Sequence, residues 1–186
     1  GQSNVSVITT DNLTGIQLGN TTAEGAASTL SDIRLVNLDI VLGSGIATTG
    51  QRHGIHLFKT NADVNEVKVI ATTADISEAE QVIVGYKQTL GDTTINGLNV
   101  AISGSESNAV AYGAMLDRAL VTANDPQITC TCSGATGVTN RAWFATNVAD
   151  SNSAITTVSG YTNIISGGST RSSGGSTNQS LFADYN

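Results

Sequence analysis

Four sets of residues carry side chains that could act together chemically. His53 and His56 have the type of a metal pair. On a straight strand, however, positions three apart point to opposite faces, and neither Cys nor carboxylate stands in register with them. They read as surface histidines, and no metal site is expected. Asp32, Asp63, Asp92, Asp125 and Asp150 recur at a spacing near 30 residues. A stacked line of such carboxylates offers oxygen ligands to calcium, the one cofactor the pattern leaves open. Aspartate also favours turns through its own local hydrogen bonds, which explains the recurrence without a metal. Asp39, Glu66 and Lys68 form the only candidate catalytic cluster. Two carboxylates at a defined separation serve a glycoside hydrolase, and a base serves a lyase, although an acidic pair beside a lysine is also an ordinary cross-strand ion pair. Trp143, Tyr112, Thr129 and Thr131 are candidates for contact with sugar or a neighbouring subunit. Alternation turns Trp143 outward if Phe144 faces in, and an outward indole is a stacking platform.

Other motifs carry less. Cys130 and Cys132 share a face of a strand, where a disulfide between them would need a sharp bend. Two small buried thiols fit best; a strained or an intermolecular bridge stays open. The chain has no phosphate loop, nucleophile elbow or zinc spacing. Asn-x-Ser/Thr triplets begin at Asn4, Asn12, Asn20 and Asn178, about the number this composition yields by chance.

The elements that position these residues follow from composition and period. Of 186 residues, 44 are Ser or Thr, and only 12% are charged. Aromatics are 4%, so a core must come from Val, Ile, Leu and Ala in a narrow interior. The net charge is −7 and the eight basic residues are scattered, which argues against nucleic acid and against basic membrane-surface binding. No run approaches the roughly 18 apolar residues of a membrane span. The start at Gly1-Gln2-Ser3 reads as a processed chain or an excised fragment.

Apolar pairs recur at Val5/Val7, Leu38/Ile40, Val67/Val69, Leu98/Val100, Ile128/Cys130 and Ile155/Thr157, at intervals of 33, 29, 31, 30 and 27. Polar neighbours such as Asn37, Asp39, Glu66 and Lys68 alternate with them, the period of a half-buried strand. A second series runs Ile16/Leu18, Ile55/Leu57, Val82/Val84, Val110/Tyr112 and Ala142/Phe144, then Leu181. Ile95 and Leu120 suggest a weaker third strand. Thr22 to Leu30 and Ala74 to Gln81 are the only stretches with helical character. A 30-residue repeat of short strands fits a solenoid, in which stacked rungs make one continuous core. The expectation is a single all-β domain over 1–186, a right-handed parallel β-helix of about six rungs, with a Gly/Ser-rich irregular segment at 166–180. The alternative is an antiparallel sandwich or jelly roll, with Gln81 to Ile102 as a hairpin around Gly91-Asp92.

Three segments sharpen this. Thr94 to Gly104 with Asn108 to Gly113, Pro126 to Gly134 with Thr139 to Phe144, and Ser31 to Ile40 with His53 to Leu57 each resemble one rung of the pectin-lyase-like β-helix proteins of bacterial surfaces and phage fibres or spikes. The resemblance covers most of residues 31 to 165 and is one of fold, which hosts many functions. It implies an extracellular, cell-surface or virion-surface protein. Two functions lead: a non-enzymatic structural or adhesive module (fibre, spike or adhesin segment) contacting carbohydrate or neighbouring subunits, and a polysaccharide depolymerase; an ice-binding surface of Thr ladders ranks below both, because the outward residues vary from rung to rung. Partners expected are neighbouring subunits in a homo-oligomer or a longer array, and polysaccharide.

Overall fold

The computed structural model describes residues 5–9, 14–19, 29–42, 51–72, 81–105, 108–133, 137–146, 154–159, 162–165 and 177–183. These form twelve strands: β1 (Val5–Thr9), β2 (Thr14–Leu18), β3 (Leu30–Leu42), β4 (Gln51–Phe58), β5 (Thr60–Thr72), β6 (Gln81–Gly104), β7 (Ala109–Asn124), β8 (Gln127–Cys132), β9 (Thr139–Thr146), β10 (Ala154–Ser159), β11 (Thr162–Ile165) and β12 (Thr177–Ala183). Every pairing among them is parallel. The chain is therefore an all-β solenoid and not an antiparallel sandwich. No hairpin forms at Gly91-Asp92; both lie inside β6, beside Ala119 and Leu120 of β7. The two stretches with helical character fall mostly on 20–28 and 73–80, and Asp150 and the segment 166–180 lie almost wholly beyond the described residues as well.

About three turns close on one another. Leu30 lies beside Thr60, Thr60 beside Gly91, and Gly91 beside Ala119. Shorter strands extend the columns as part-turns at both ends, with β1 on β3, β2 on β4, and β10, β11 and β12 on β7, β8 and β9. The expected six rungs are thus corrected to about three turns, because each apolar pair at the ends counted as a whole rung.

Each turn has three faces. The first is seen in 60–65, 91–96 and 119–124, the second in 67–72, 98–104 and 127–132, and the third in 51–58, 82–89, 109–117 and 139–146. Their corners are residues of left-handed conformation stacked in columns. Asn37, Glu66, Gly97 and Asp125 (φ 54, 51, 71 and 50°) turn the first face into the second. Lys59, Leu90 and Arg118 (φ 48, 59 and 50°) turn the third face into the next level. Such φ values are costly for residues other than Gly, Asn and Asp, so the stacked neighbours must impose them. An asparagine ladder reinforces the first corner: Asn124 Nδ2 donates to Asn96 Oδ1, and Asn96 Nδ2 to Asn65 Oδ1, each at 2.9 Å.

The interior is filled by columns of apolar side chains. Ile40, Val69, Val100 and Ile128 form one; Leu42, Ala71, Ile102 and Cys130 form the next. Pairing by apolar couplets would have put Cys130 on Val100. The return from Val100 to Ile128 takes 28 residues rather than 30, so the register moves by one inward step. Leu38 stacks on Val67 and Leu98 instead. Opposite the first column stand Gly15, Gly54, Gly85 and Gly113 of the third face. A methyl group on Gly85 would collide with Val100 Cγ1 and lie 2.7 Å from the Gly113 carbonyl oxygen. The glycines let the third face press against the branched side chains of the second.

One polar network is sealed inside. Gln88 Nε2 donates to the carbonyls of Thr60 and Leu90, both at 2.8 Å, while its Oε1 accepts from Tyr86 (2.6 Å) and Thr93 (2.9 Å). Its amide is fully satisfied, as burial demands. Only one register of the turn gives it these partners. Cys130 and Cys132 are buried thiols, not joined in a disulfide. Burial pushes the Cys130 thiol well above its ordinary range, as does nearby Cys132, which leaves it inert at neutral pH.

Candidate functional site

A groove of about 430 Å³ lies on the outer side of the first face. Ala62, Val64, Thr93 and Ile95 point inward, so strand alternation turns Asn61, Asp63, Asp92 and Thr94 outward. Asp32 from the level below and Leu120 and Thr122 from the level above complete it. The Asp92 N–H donates to Asn61 Oδ1 at 3.0 Å, and the Arg34 guanidinium lies 3.9 Å from the Asp63 carboxylate in solvent. Three of the recurring aspartates thus line one groove, while Asp125 sits at a corner. Among the described residues no three His, Cys, Asp or Glu side chains approach closely enough to hold a metal ion.

A smaller depression of about 300 Å³ lies at the corner of the first and second faces. It brings together Asp39, Glu66 and Lys68, with Asn37 and Asn99 beside them. Lys68 is the register neighbour of both Asp39 and Asn99. Glu66 reaches over Gly97, where any Cβ would lie 2.7 Å from its Oε1. Thr129 and Thr131 stand on the second face, half-buried, beside Ala101 and Ser103. The Thr131 hydroxyl leans back to the Ile102 carbonyl at 3.5 Å.

The third face departs most from expectation. Trp143 does not point outward: it is 2% exposed and packs in the core, in register with Ala114. The small Ala114 leaves the volume that the indole fills. Phe144 is the neighbour that turns out, and it stacks on Tyr112 at 4.8 Å between ring centroids. The Arg141 guanidinium lies over Phe144 at 4.9 Å and over Tyr112 at 5.7 Å. Tyr112 stays half-buried.

His53 and His56 are not surface residues on opposite faces. They are 8% and 7% exposed, and their ring centroids are 4.8 Å apart. Gly54 lies pressed against Val69 between them, which breaks the simple alternation and brings positions three apart to one side. His53 Nε2 lies 3.2 Å from Gln51 Oε1, and its Nδ1 lies 3.4 Å from the Thr14 hydroxyl. Lys87, the register neighbour of His56, donates to the same Gln51 oxygen at 2.9 Å. His56 Nε2 is buried without a hydrogen-bond partner among the described residues. Burial, then Lys87, then His56 hold His53 down to about 3. Burial and then Lys87 hold His56 down to about 4. Burial also lowers Lys87, against the opposing pull of Asp117. The sequence marked the two histidines but gave no sign of Gln51, Lys87 or Arg141, which join them only through the register.

No family model, curated protein or solved structure matches the chain.

Proposed function

We propose that this solenoid is a non-enzymatic structural or adhesive module, a fibre, spike or adhesin segment, whose first face contacts carbohydrate. The observation that carries the reading is the polar groove of Asp32, Asn61, Asp63, Asp92, Thr94 and Thr122, which runs along the stacking direction across four strand levels. Strand levels repeat at about 4.8 Å, so carboxylate and amide acceptors and hydroxyl donors recur along the groove. A linear polymer rich in hydroxyls meets similar partners level after level. Such a module belongs on a cell or virion surface, in contact with neighbouring subunits. Titration with immobilised neutral polysaccharides tests the groove. Binding should fall about tenfold in the double variant Asn61→Ala/Asp92→Ala, the loss expected for a few hydrogen bonds. Absence of binding to every polymer tested would remove this reading.

A second reading, a depolymerase, draws on the depression that gathers Asp39, Glu66 and Lys68. Reducing-end release from the same polysaccharides decides it. Chain shortening that disappears in Glu66→Gln would replace the adhesive reading; intact polymer after prolonged incubation leaves the adhesive reading in place.

A further inference from the structure

The outer side of the third face contrasts in charge with the groove. Lys87 and Arg141 stand there, beside two neutral histidines, whereas the first face carries Asp32, Asp63 and Asp92. Two nitrogen-bearing side chains converge on Gln51, and the His56 ring lies against one of them, His53. Lys87 Nζ donates to Gln51 Oε1 at 2.9 Å, and His53 Nε2 lies 3.2 Å from the same atom. One neutral amide oxygen serves a full cation and an imidazole. Its position is that of an anionic oxygen. Nearby, His56 Nε2 is buried with no hydrogen-bond partner among the described residues, although its ring lies against His53 and its strand position is beside Lys87. A buried ring nitrogen without a partner is costly and marks a place where another atom belongs.

Among the described residues, the surrounding charges do not supply that atom. Lys87 forms no ion pair among the described residues. Asp117, the acid that acts on Lys87 through space, is bound to Arg118 by contacts of 3.1 and 3.3 Å. Arg52 bonds the Thr72 carbonyl at 3.2 Å, and Arg141 is spread over Phe144 and Tyr112. Lys87 and Gln51 keep part of their surface in solvent, which gives the cluster an entrance.

We propose that Gln51, His53, His56 and Lys87 form an anion-binding site, in which a carboxylate, sulfate or phosphate oxygen displaces the Gln51 amide oxygen and is held by Lys87 and His56. The site is separate from the first-face groove and stands or falls without it. The ligand group comes either from an acidic saccharide or from a free inorganic anion, and the two are separable by experiment.

Histidine ring resonances of the intact chain are followed by NMR during titration with sodium glucuronate, sodium sulfate and inorganic phosphate, with glucose as the neutral control. Saturable shifts of the His53 and His56 rings are expected with an anion and not with glucose. The titration midpoints of both rings should rise, because an adjacent negative charge favours imidazolium. Lys87→Gln should weaken the response about tenfold, the loss of one charge-assisted contact. If Lys87→Gln does not fold, His56→Asn gives the same comparison. Asn61→Ala/Asp92→Ala should leave the response intact. A response to glucuronate assigns the site to acidic sugars, and a response to sulfate or phosphate alone assigns it to inorganic anions. Rings that ignore all three anions, or that respond equally without Lys87, overturn the proposal.

Discussion

His53 and His56 are bases kept neutral inside the third face, so their protonation is linked to folding. Their folded pKa values, about 3 and about 4, lie below the ordinary 6.5. Above pH 6.5 both states carry neutral rings and nothing is lost. Below it the unfolded chain takes up protons that the folded chain refuses, so stability falls with pH until about 4 for His56 and about 3 for His53. Each ring contributes a slope approaching about 1.4 kcal/mol per pH unit in that window. Carboxylates also titrate in the lower part of it, so the comparison that isolates the rings is with His56→Gln. Chemical denaturation from pH 7 to pH 4 should show a shallower decline in the variant. Equal slopes would mean that the His56 ring is not held neutral in the folded chain.

The strands themselves respond to smaller changes. Gly85 admits no side chain, since Val100 and the Gly113 carbonyl occupy the space. Gly85→Ala should cost about 1–3 kcal/mol through overpacking, and Val100→Ala in the same chain should recover part of that cost. The remainder reflects the Gly113 backbone, which cannot be trimmed. Asn96→Ala removes the middle of the asparagine ladder and both of its 2.9 Å bonds, at about 2 kcal/mol by denaturation. The parallel stack was legible because alternation and a near-30-residue interval are properties of the residues alone. The columns were less so. Ile55 stacks on Tyr86, not on Val82, and Cys130 on Ile102, not on Val100. Turn lengths vary from 28 to 39 residues, and a two-residue difference preserves alternation while changing every partner. The same limit hid the histidine–lysine cluster: Lys87 meets His56 only once the register and the break at Gly54 are fixed. Asp39, Glu66 and Lys68 were legible as neighbours because they flank one corner on adjacent levels.

A stack of this kind is held level by level, so stability is a sum of neighbour contacts rather than the property of one compact core. Interior levels such as 91–104 are covered on both sides, by β5 below and by β7 and β8 above. The strands β1, β2, β10, β11 and β12 each have one described partner. Amide exchange should therefore be slowest for Ile95 to Ile102 and quicken toward both ends. Val100→Asp places an unpaired charge in a fully enclosed column and should abolish the slow-exchanging centre, whereas the same change at exposed Val36 should not. Open strand edges also recruit other chains. The expectation that neighbouring subunits cover the ends gives a concentration dependence. Over a dilution series, scattering mass and the protection of β1, β2 and β12 should fall together, while the centre stays protected. A particle of constant, single-chain mass whose end strands remain as protected as Val100 would show that the chain covers its own ends, and the subunit-contact part of the adhesive reading would then be withdrawn.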